Sequence, residues 1–277
     1  MRAVRTSAAG LLVLAVLLTG CGTGSGKGAV GRAVPAPAPA GAGTVGAAAT
    51  TTPAAELRAG LTWELVERTL LLAEARGAVL ASGGDRSAPS VRADEQLLER
   101  GAAELARTVG VGDLRGALQA ESDRVLSRTR TAAGLEADHA RTAALVARSG
   151  PTLSVPALRR ALDRSTEGLL TDPRRVDTAQ AGVAAGLVAN ALAAQEQTGS
   201  TETSAVVLRA DLTRLLVARA YLAGAPVDDP SLDLLTRTLA ARLTPSGGTA
   251  GVLAALRSGH SALFAAAQAR RDDDDAG

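Results

Sequence analysis

A twelve-residue stretch, LRAGLTWELVER at residues 57–68, recurs as LRADLTRLLVAR at residues 208–219, with eight of the twelve positions identical. In both copies the leucines return every three or four residues, which predicts a helix with one apolar face rather than a strand. Because the two copies lie far apart in the chain, they indicate a duplicated structural unit. We therefore expect the same helix to occur twice in the fold.

Shorter matches follow each copy of this helix. The Leu-Leu pair at residues 97–98 matches residues 234–235, and the Ala-Leu pair at residues 117–118 matches residues 255–256. These matches predict that the duplicated unit contains three helices. We expect the helices between about 135 and 198 to connect the two copies.

The whole region from 54 to 270 is rich in Leu, Ala, Arg and Glu, which favour helices. No run alternates between polar and apolar residues for long enough to predict a strand. Glycine, proline and capping signals divide the region at Gly83-Gly84, at Gly110 and Gly112 before Asp113, at Gly150-Pro151, at Ser154 before Pro156, at Asp172-Pro173 and at Asp229-Pro230. We predict an all-α fold, an antiparallel bundle of eight or nine helices with an internal duplication.

The N-terminus carries the pattern of an export signal. Arg2 and Arg5 precede an apolar run at residues 11–18, which is too short to span a membrane as a helix. Leu18-Thr19-Gly20-Cys21 then resembles the lipobox of bacterial lipoproteins, which implies a diacylglyceryl group on Cys21 and a lipid anchor in the cell membrane. The alternative is an ordinary secretory signal with a chance cysteine.

Composition separates four segments of the chain. Residues 1–20 form the predicted lipoprotein signal peptide, and residues 21–53, rich in Gly, Ala, Pro and Thr, form a predicted disordered tether after the lipidated cysteine. Residues 54–270 form the predicted helical bundle, and residues 271–277 a predicted acidic disordered tail. The bundle is thus expected on the extracytoplasmic face of the membrane.

Composition also excludes several classes of function. The chain has 30 basic and 28 acidic residues, and loss of Arg2 and Arg5 with the signal leaves 28 of each, which argues against a nucleic-acid partner. Cys21 is the one cysteine, so no disulfide framework is expected. No Gly-x-Ser-x-Gly elbow and no Gly-rich loop after a strand occurs, so we predict neither an enzyme nor a bound cofactor.

Two motifs and the duplicated layout resemble a group of duplicated, all-helical proteins exported by bacteria, some of them lipoproteins. The motifs in this chain are Leu-Arg-x-x-Leu-Thr-x-x-Leu-Val at 57–66 and 208–217, and Leu-x-x-Leu-Arg-x-x-His-x-x-x-Phe at 253–264. In that group a Glu-His pair follows the Leu-Val and a later helix carries a Trp-Arg-x-His turn, and these histidines suggest metal binding.

This chain departs from the group at its histidine positions. Glu67-Arg68 and Ala218-Arg219 stand where the Glu-His pairs would be, and only the segment around His260 keeps the later motif. The resemblance therefore implies the helical, duplicated fold but leaves most of the metal ligands missing.

Arg68 and Arg219 occupy equivalent places on the leucine stripes of the repeated helix. Because an unpaired buried charge is very costly, each guanidinium must reach solvent or a carboxylate. One interpretation is a pair of cations that binds an anionic ligand. The other is two structural salt bridges or two arginines at the edge of the stripe.

His139 and His260 are both expected on inward-facing helix surfaces. Glu136-x-x-His139 has the spacing of a di-iron ligand pair, but no second such pair occurs in the chain. The two histidines could still share one zinc or copper ion with a carboxylate. A histidine on an apolar face could equally be a satisfied core residue.

Two functions follow from these patterns. The first is a non-catalytic, membrane-anchored helical module that contacts another protein of the cell envelope. The alternative is a metal-binding or metal-handling lipoprotein that uses His139 and His260.

Overall fold

The structure of the protein is a computed structural model that describes residues 52–127, 132–173, 175–222, 230–243, 250–261 and 265. Cys21, most of the predicted tether and the acidic tail lie outside the described residues. All regular secondary structure in the described ranges is helical, which confirms the predicted all-α class. None of the described helices is long and apolar enough to cross a membrane.

Nine α-helices occur in the described residues. They are α1 (Pro53–Ala81), α2 (Pro89–Val109), α3 (Asp113–Leu126), α4 (Ala132–Val146), α5 (Val155–Thr166), α6 (Thr178–Glu196), α7 (Ser204–Tyr221), α8 (Pro230–Leu243) and α9 (250–261). Short 3₁₀ turns, Ala147–Ser149 and Glu167–Leu170, extend α4 and α5.

Most helix boundaries follow the signals in the sequence. Thr52 caps α1 by accepting a hydrogen bond from the backbone N–H of Ala55. Gly110 ends α2 in the left-handed region, with φ of 73°, a conformation that costs glycine little. Asp113 begins α3, as predicted.

The predicted start at Asp172-Pro173 is wrong. No helix begins there, and α6 begins at Thr178, where the Asp177 carboxylate accepts from two backbone N–H groups of the first turn. Ser154 does stand at the N-cap of α5, but its side chain makes no capping hydrogen bond.

Successive helices run antiparallel, and α1 is the central element, packed against α2, α3, α6 and α7. Helix α7 runs parallel to α1. Arg209 near the start of α7 hydrogen-bonds Glu56 near the start of α1, and Tyr221 at the end of α7 hydrogen-bonds Glu67 farther along α1. The two copies of the repeated helix therefore lie side by side, as expected for a duplication.

The largest core cluster joins α1 to α2, α3, α4, α5 and α6, and a second cluster surrounds the C-terminal half of α1. The side chains at the centre of these clusters are less than 5% exposed: Leu61, Leu72, Ala102, Leu114, Leu118, Leu126, Leu158, Leu169 and Val188. All of them lie before α7, so the interior is built mainly by the first six helices.

Candidate functional site

A buried ion pair joins α1 to α3. Arg68 is 4% exposed, and its Nη2 lies 3.0 Å from Oε2 of Glu121 and 2.9 Å from Oγ of Ser122. The same nitrogen donates to the backbone oxygen of Leu118, one turn before Ser122. Arg68 therefore forms a salt bridge with a carboxylate inside the protein, which agrees with the salt-bridge interpretation of this residue.

His139 extends this pair into a chain of alternating charges. Its Nε2 lies 3.3 Å from Oε1 of Glu121, and its Nδ1 lies 2.8 Å from Oδ1 of Asp163. The hydroxyl of Thr166 completes the contacts of Nε2 at 3.5 Å. Helices α1, α3, α4 and α5 thus each contribute a charged side chain to one cluster, Arg68–Glu121–His139–Asp163, which we call the buried ion chain.

Electrostatics within the buried ion chain favours the charged forms. Burial alone would raise the pKa of Glu121, but the charges of Arg68 and His139 outweigh it and lower the pKa to about 2. Burial alone would lower the pKa of His139, but Glu121 and Asp163 raise it above its usual value. The cluster therefore places two basic and two acidic side chains in alternation, and the neighbours of Glu121 and His139 favour the charged forms of both.

This arrangement suits a structural role better than a metal site. Both ring nitrogens of His139 already face carboxylates, and Arg68 supplies beside Glu121 the positive charge that a metal ion would supply. Glu136, the carboxylate that the Glu-x-x-His spacing singled out, is instead exposed and lies 3.5 Å from Arg159. Within the described residues no group of three or more ligating side chains is arranged to hold an ion.

Arg219, on α7, makes the matching contact in the second copy. Its Nη2 donates to the backbone oxygen of Leu256, as Arg68 donates to that of Leu118. Both pairs were aligned by the sequence repeat, so the same contact in the two halves supports the duplication. Among the described residues Arg219 has no ion pair, and its Nε has no hydrogen-bond partner.

The difference between the copies comes from one helix position. Glu121 follows Leu118 by three residues in α3, whereas Gly259 follows Leu256 by three residues in α9. A carboxylate is therefore present beside Arg68, whereas none of the described residues places one beside Arg219. Burial lowers the pKa of Arg219, which reflects the cost of its charge at this half-buried position.

His260 is 2% exposed and follows Leu256 by four residues, the place that Ser122 takes relative to Leu118. The two predicted histidines therefore belong to different copies of the repeat. His139 is part of the buried ion chain of the first copy. His260 lies on α9, whose backbone accepts a hydrogen bond from Arg219 in the second copy. A shared metal site of the two histidines stays a prediction.

Sequence reasoning missed a second set of acids along α1, which are half-buried. Burial raises the pKa of Glu64 and of Glu74 to about 7 each, and it also raises the pKa of Glu67, despite hydrogen bonds from Trp63 and Tyr221. Their spacing of three and seven residues could have placed them on one helix face. Only the packing of the helices reveals that this face is partly covered.

The described residues line a small apolar cavity and an open depression. An apolar cavity of about 20 Å³ lies in the core, far below the size of a small-molecule site. An open depression of about 630 Å³ lies beside the α2–α3 turn, and its rim includes Asp113 and Arg148, which pair with each other at 3.4 Å. Neither contains any residue of the buried ion chain.

No known protein family, characterised protein or solved structure was found to match this chain.

Proposed function

We propose that this protein is a lipid-anchored, extracytoplasmic helical module without catalytic activity, and that it contacts another protein of the cell envelope. The anchor rests on Leu18-Thr19-Gly20-Cys21 after an apolar run, as in bacterial lipoproteins. In the bundle, the side chains of the buried ion chain contact one another inside the protein. Contact with a partner is the role that fits such a domain.

The observation that carries the proposed contact is the difference in burial between equivalent residues of the two copies. Leu114, Ala117 and Leu118 of α3 are 1–3% exposed beneath α4 and α5. Their counterparts in α9, at positions 252, 255 and 256, are half-buried or exposed.

The same difference occurs on the second helix of each copy. Leu97 of α2 is 38% exposed, while its counterpart Leu234 of α8 is 67% exposed. We call the surface formed by Leu234 and residues 252, 255 and 256 the open face. An apolar surface that is more exposed in one copy than in the other is a natural place for a partner.

The charged residues support a non-catalytic role. A general base needs a free nitrogen or oxygen that can reach a substrate proton. His139 has carboxylates at both ring nitrogens. The buried ion chain is thus occupied with holding four helices together.

The anchor is tested by the mass of the mature protein. In the natural bacterial host, we expect the parent chain to lose residues 1–20 and to gain a diacylglyceryl mass on Cys21, whereas Cys21→Ser gains no lipid mass. Thr19→Ser, which keeps a small residue in the motif, is the matched control and should be lipidated like the parent. A parent protein without added lipid mass would refute the anchor.

The contact is tested by photo-crosslinking in intact cells. A photoreactive amino acid at Leu234 should give one discrete adduct with an envelope protein, because this side chain lies on the open face. The same substitution at Leu97, its less exposed counterpart in the first copy, is the control and should give much weaker labelling. Equal labelling from both positions, or none from Leu234, would contradict the proposed surface.

A further inference from the structure

Equivalent arginines in the two copies donate to equivalent backbone oxygens, but their ion pairing differs. Arg68 donates to the oxygen of Leu118 and pairs with Glu121 at 3.0 Å. Arg219 donates to the oxygen of Leu256, and Gly259 stands where the carboxylate would be. The second copy therefore lacks, among the described residues, the anion that the first copy contains.

We propose that Arg219 forms a binding site for a carboxylate that comes from outside the described helices. The site takes the place of the Glu121 carboxylate in the first copy, between Arg219 on α7 and residue 259 on α9. This proposal extends the proposed function, since a carboxylate on the partner would dock there. It does not depend on the partner's identity.

The chemistry favours a carboxylate for two reasons. A guanidinium presents parallel N–H groups that match the two oxygens of a carboxylate, and Arg219, like Arg68, has an Nε that is buried without a hydrogen-bond partner. A half-buried cation also gains more from an anion than a fully solvated one, because the surrounding protein screens the attraction less. Arg219 is partly exposed, so an anion can reach it from solvent.

Gly259 makes the site accessible and gives a direct way to close it. A Cβ built on Gly259 would meet nothing within 4 Å, so a larger side chain fits there. Gly259→Glu would restore the relation that Glu121 has to Leu118, three residues along the same helix. Gly259→Gln is the matched control, because it adds the same volume and the same helix propensity without the charge.

The experiment is an NMR titration of the full-length chain in detergent with sodium acetate, at ionic strength held constant with chloride. The Nε–H resonance of Arg219, identified by its loss in Arg219→Lys, should shift and saturate. Arg68, already paired with Glu121, should not shift. Arg148, whose side chain is 67% exposed, is the control for weak binding at the surface. Its resonance should need at least about tenfold more acetate than that of Arg219 to reach half of its full shift.

Two sources of the carboxylate are separated by a second arm. The chain itself carries four acids at residues 272–275. If they occupy the site, the parent will not respond to acetate, but a variant with all four changed to Asn will. If the parent responds directly, the site is open to a carboxylate from another molecule.

The Gly259 variants complete the test. Gly259→Glu should abolish the acetate response of Arg219, whereas Gly259→Gln should retain it. The proposal is overturned if Arg219 responds in neither the parent nor the Asn variant, or if it binds acetate no better than Arg148. A titration without response leaves the crosslinking result at Leu234 unaffected, so failure of this site is distinguishable from failure of the proposed contact.

Discussion

Among single residues, Glu121 is a buried charge whose ionised form depends on its neighbours. It is 5% exposed and lies between two cations, Arg68 and His139. Its charge is maintained because those cations outweigh the cost of burial and hold its pKa near 2. Removing that charge would leave Arg68 buried without a carboxylate.

Glu121→Gln should therefore reduce the free energy of unfolding by about 3–5 kcal/mol, the range for breaking one side of a buried ion pair. Urea denaturation at pH 7, followed by circular dichroism, measures this loss. Glu99→Gln removes a carboxylate from an exposed pair with Arg115 and should change stability little. Equal losses in the two variants would mean that the buried ion chain adds nothing specific.

Glu74 gives the bundle a pH dependence with a definite sign. Burial raises its pKa from 4.5 to about 7 in the folded protein. Its contribution to stability is therefore fully present below pH 4.5 and is lost as the pH rises through about 7. Glu74→Gln, which stays neutral, should be more stable than the parent at pH 8 and equal to it at pH 4.

Urea midpoints of the parent and of Glu74→Gln across this pH range measure the effect. Glu136→Gln, at an exposed carboxylate, is the control and should follow the parent at every pH. If the urea midpoints of the parent and of Glu74→Gln change with pH in parallel, burial does not raise the pKa of Glu74.

Among the helices, α6 begins where local packing allows it rather than where the sequence first signals it. Asp172-Pro173 has the form of a cap followed by proline, but the chain makes a close approach here: a Cβ on Gly168 would lie 2.0 Å from the backbone oxygen of Arg175. At this fold-back, residues 172, 173 and 175–177 lie outside any helix. Asp177 then provides the cap.

Asp177→Ala should cost about 1 kcal/mol, because its carboxylate accepts from the N–H groups of Ala179 and Gln180 at 2.9 and 3.1 Å. Ser154→Ala is the comparison, because Ser154 occupies the N-cap of α5 without a capping hydrogen bond and should cost much less. Thermal melts of the two variants measure the difference. Similar losses would mean that the Asp177 hydrogen bonds do not stabilise α6.

The repeat was readable from the sequence because its contacts are local to each helix and keep their spacing. The leucine stripes, the positions of Arg68 and Arg219 on them and most helix ends follow from periods and caps. The partners of Arg68 and His139 do not, because Glu121 lies 53 residues from Arg68 and Asp163 lies 24 residues from His139. Which of many acids reaches a buried cation depends on how the helices rotate and cross, and sequence spacing carries no such information.

Across the whole molecule, the two copies of the repeat are packed to different degrees. The three core clusters consist of residues between α1 and α7, while α8 and α9 add a few buried side chains, among them Leu232, Leu239 and His260. Elements with fewer buried contacts open more easily than the core. The second copy should therefore open locally while the first copy remains folded.

Native-state hydrogen exchange should show this as opening free energies lower by about 2 kcal/mol or more in α8 and α9 than in α1 and α6. Gly259→Gln distinguishes local opening from global unfolding, since replacing a helical glycine stabilises α9 by roughly 0.5–1 kcal/mol. If α9 opens alone, protection should rise only in α9 and its neighbours. If protection rises throughout the bundle by the same amount, the two copies unfold as one unit, and the open face is as firmly held as the core.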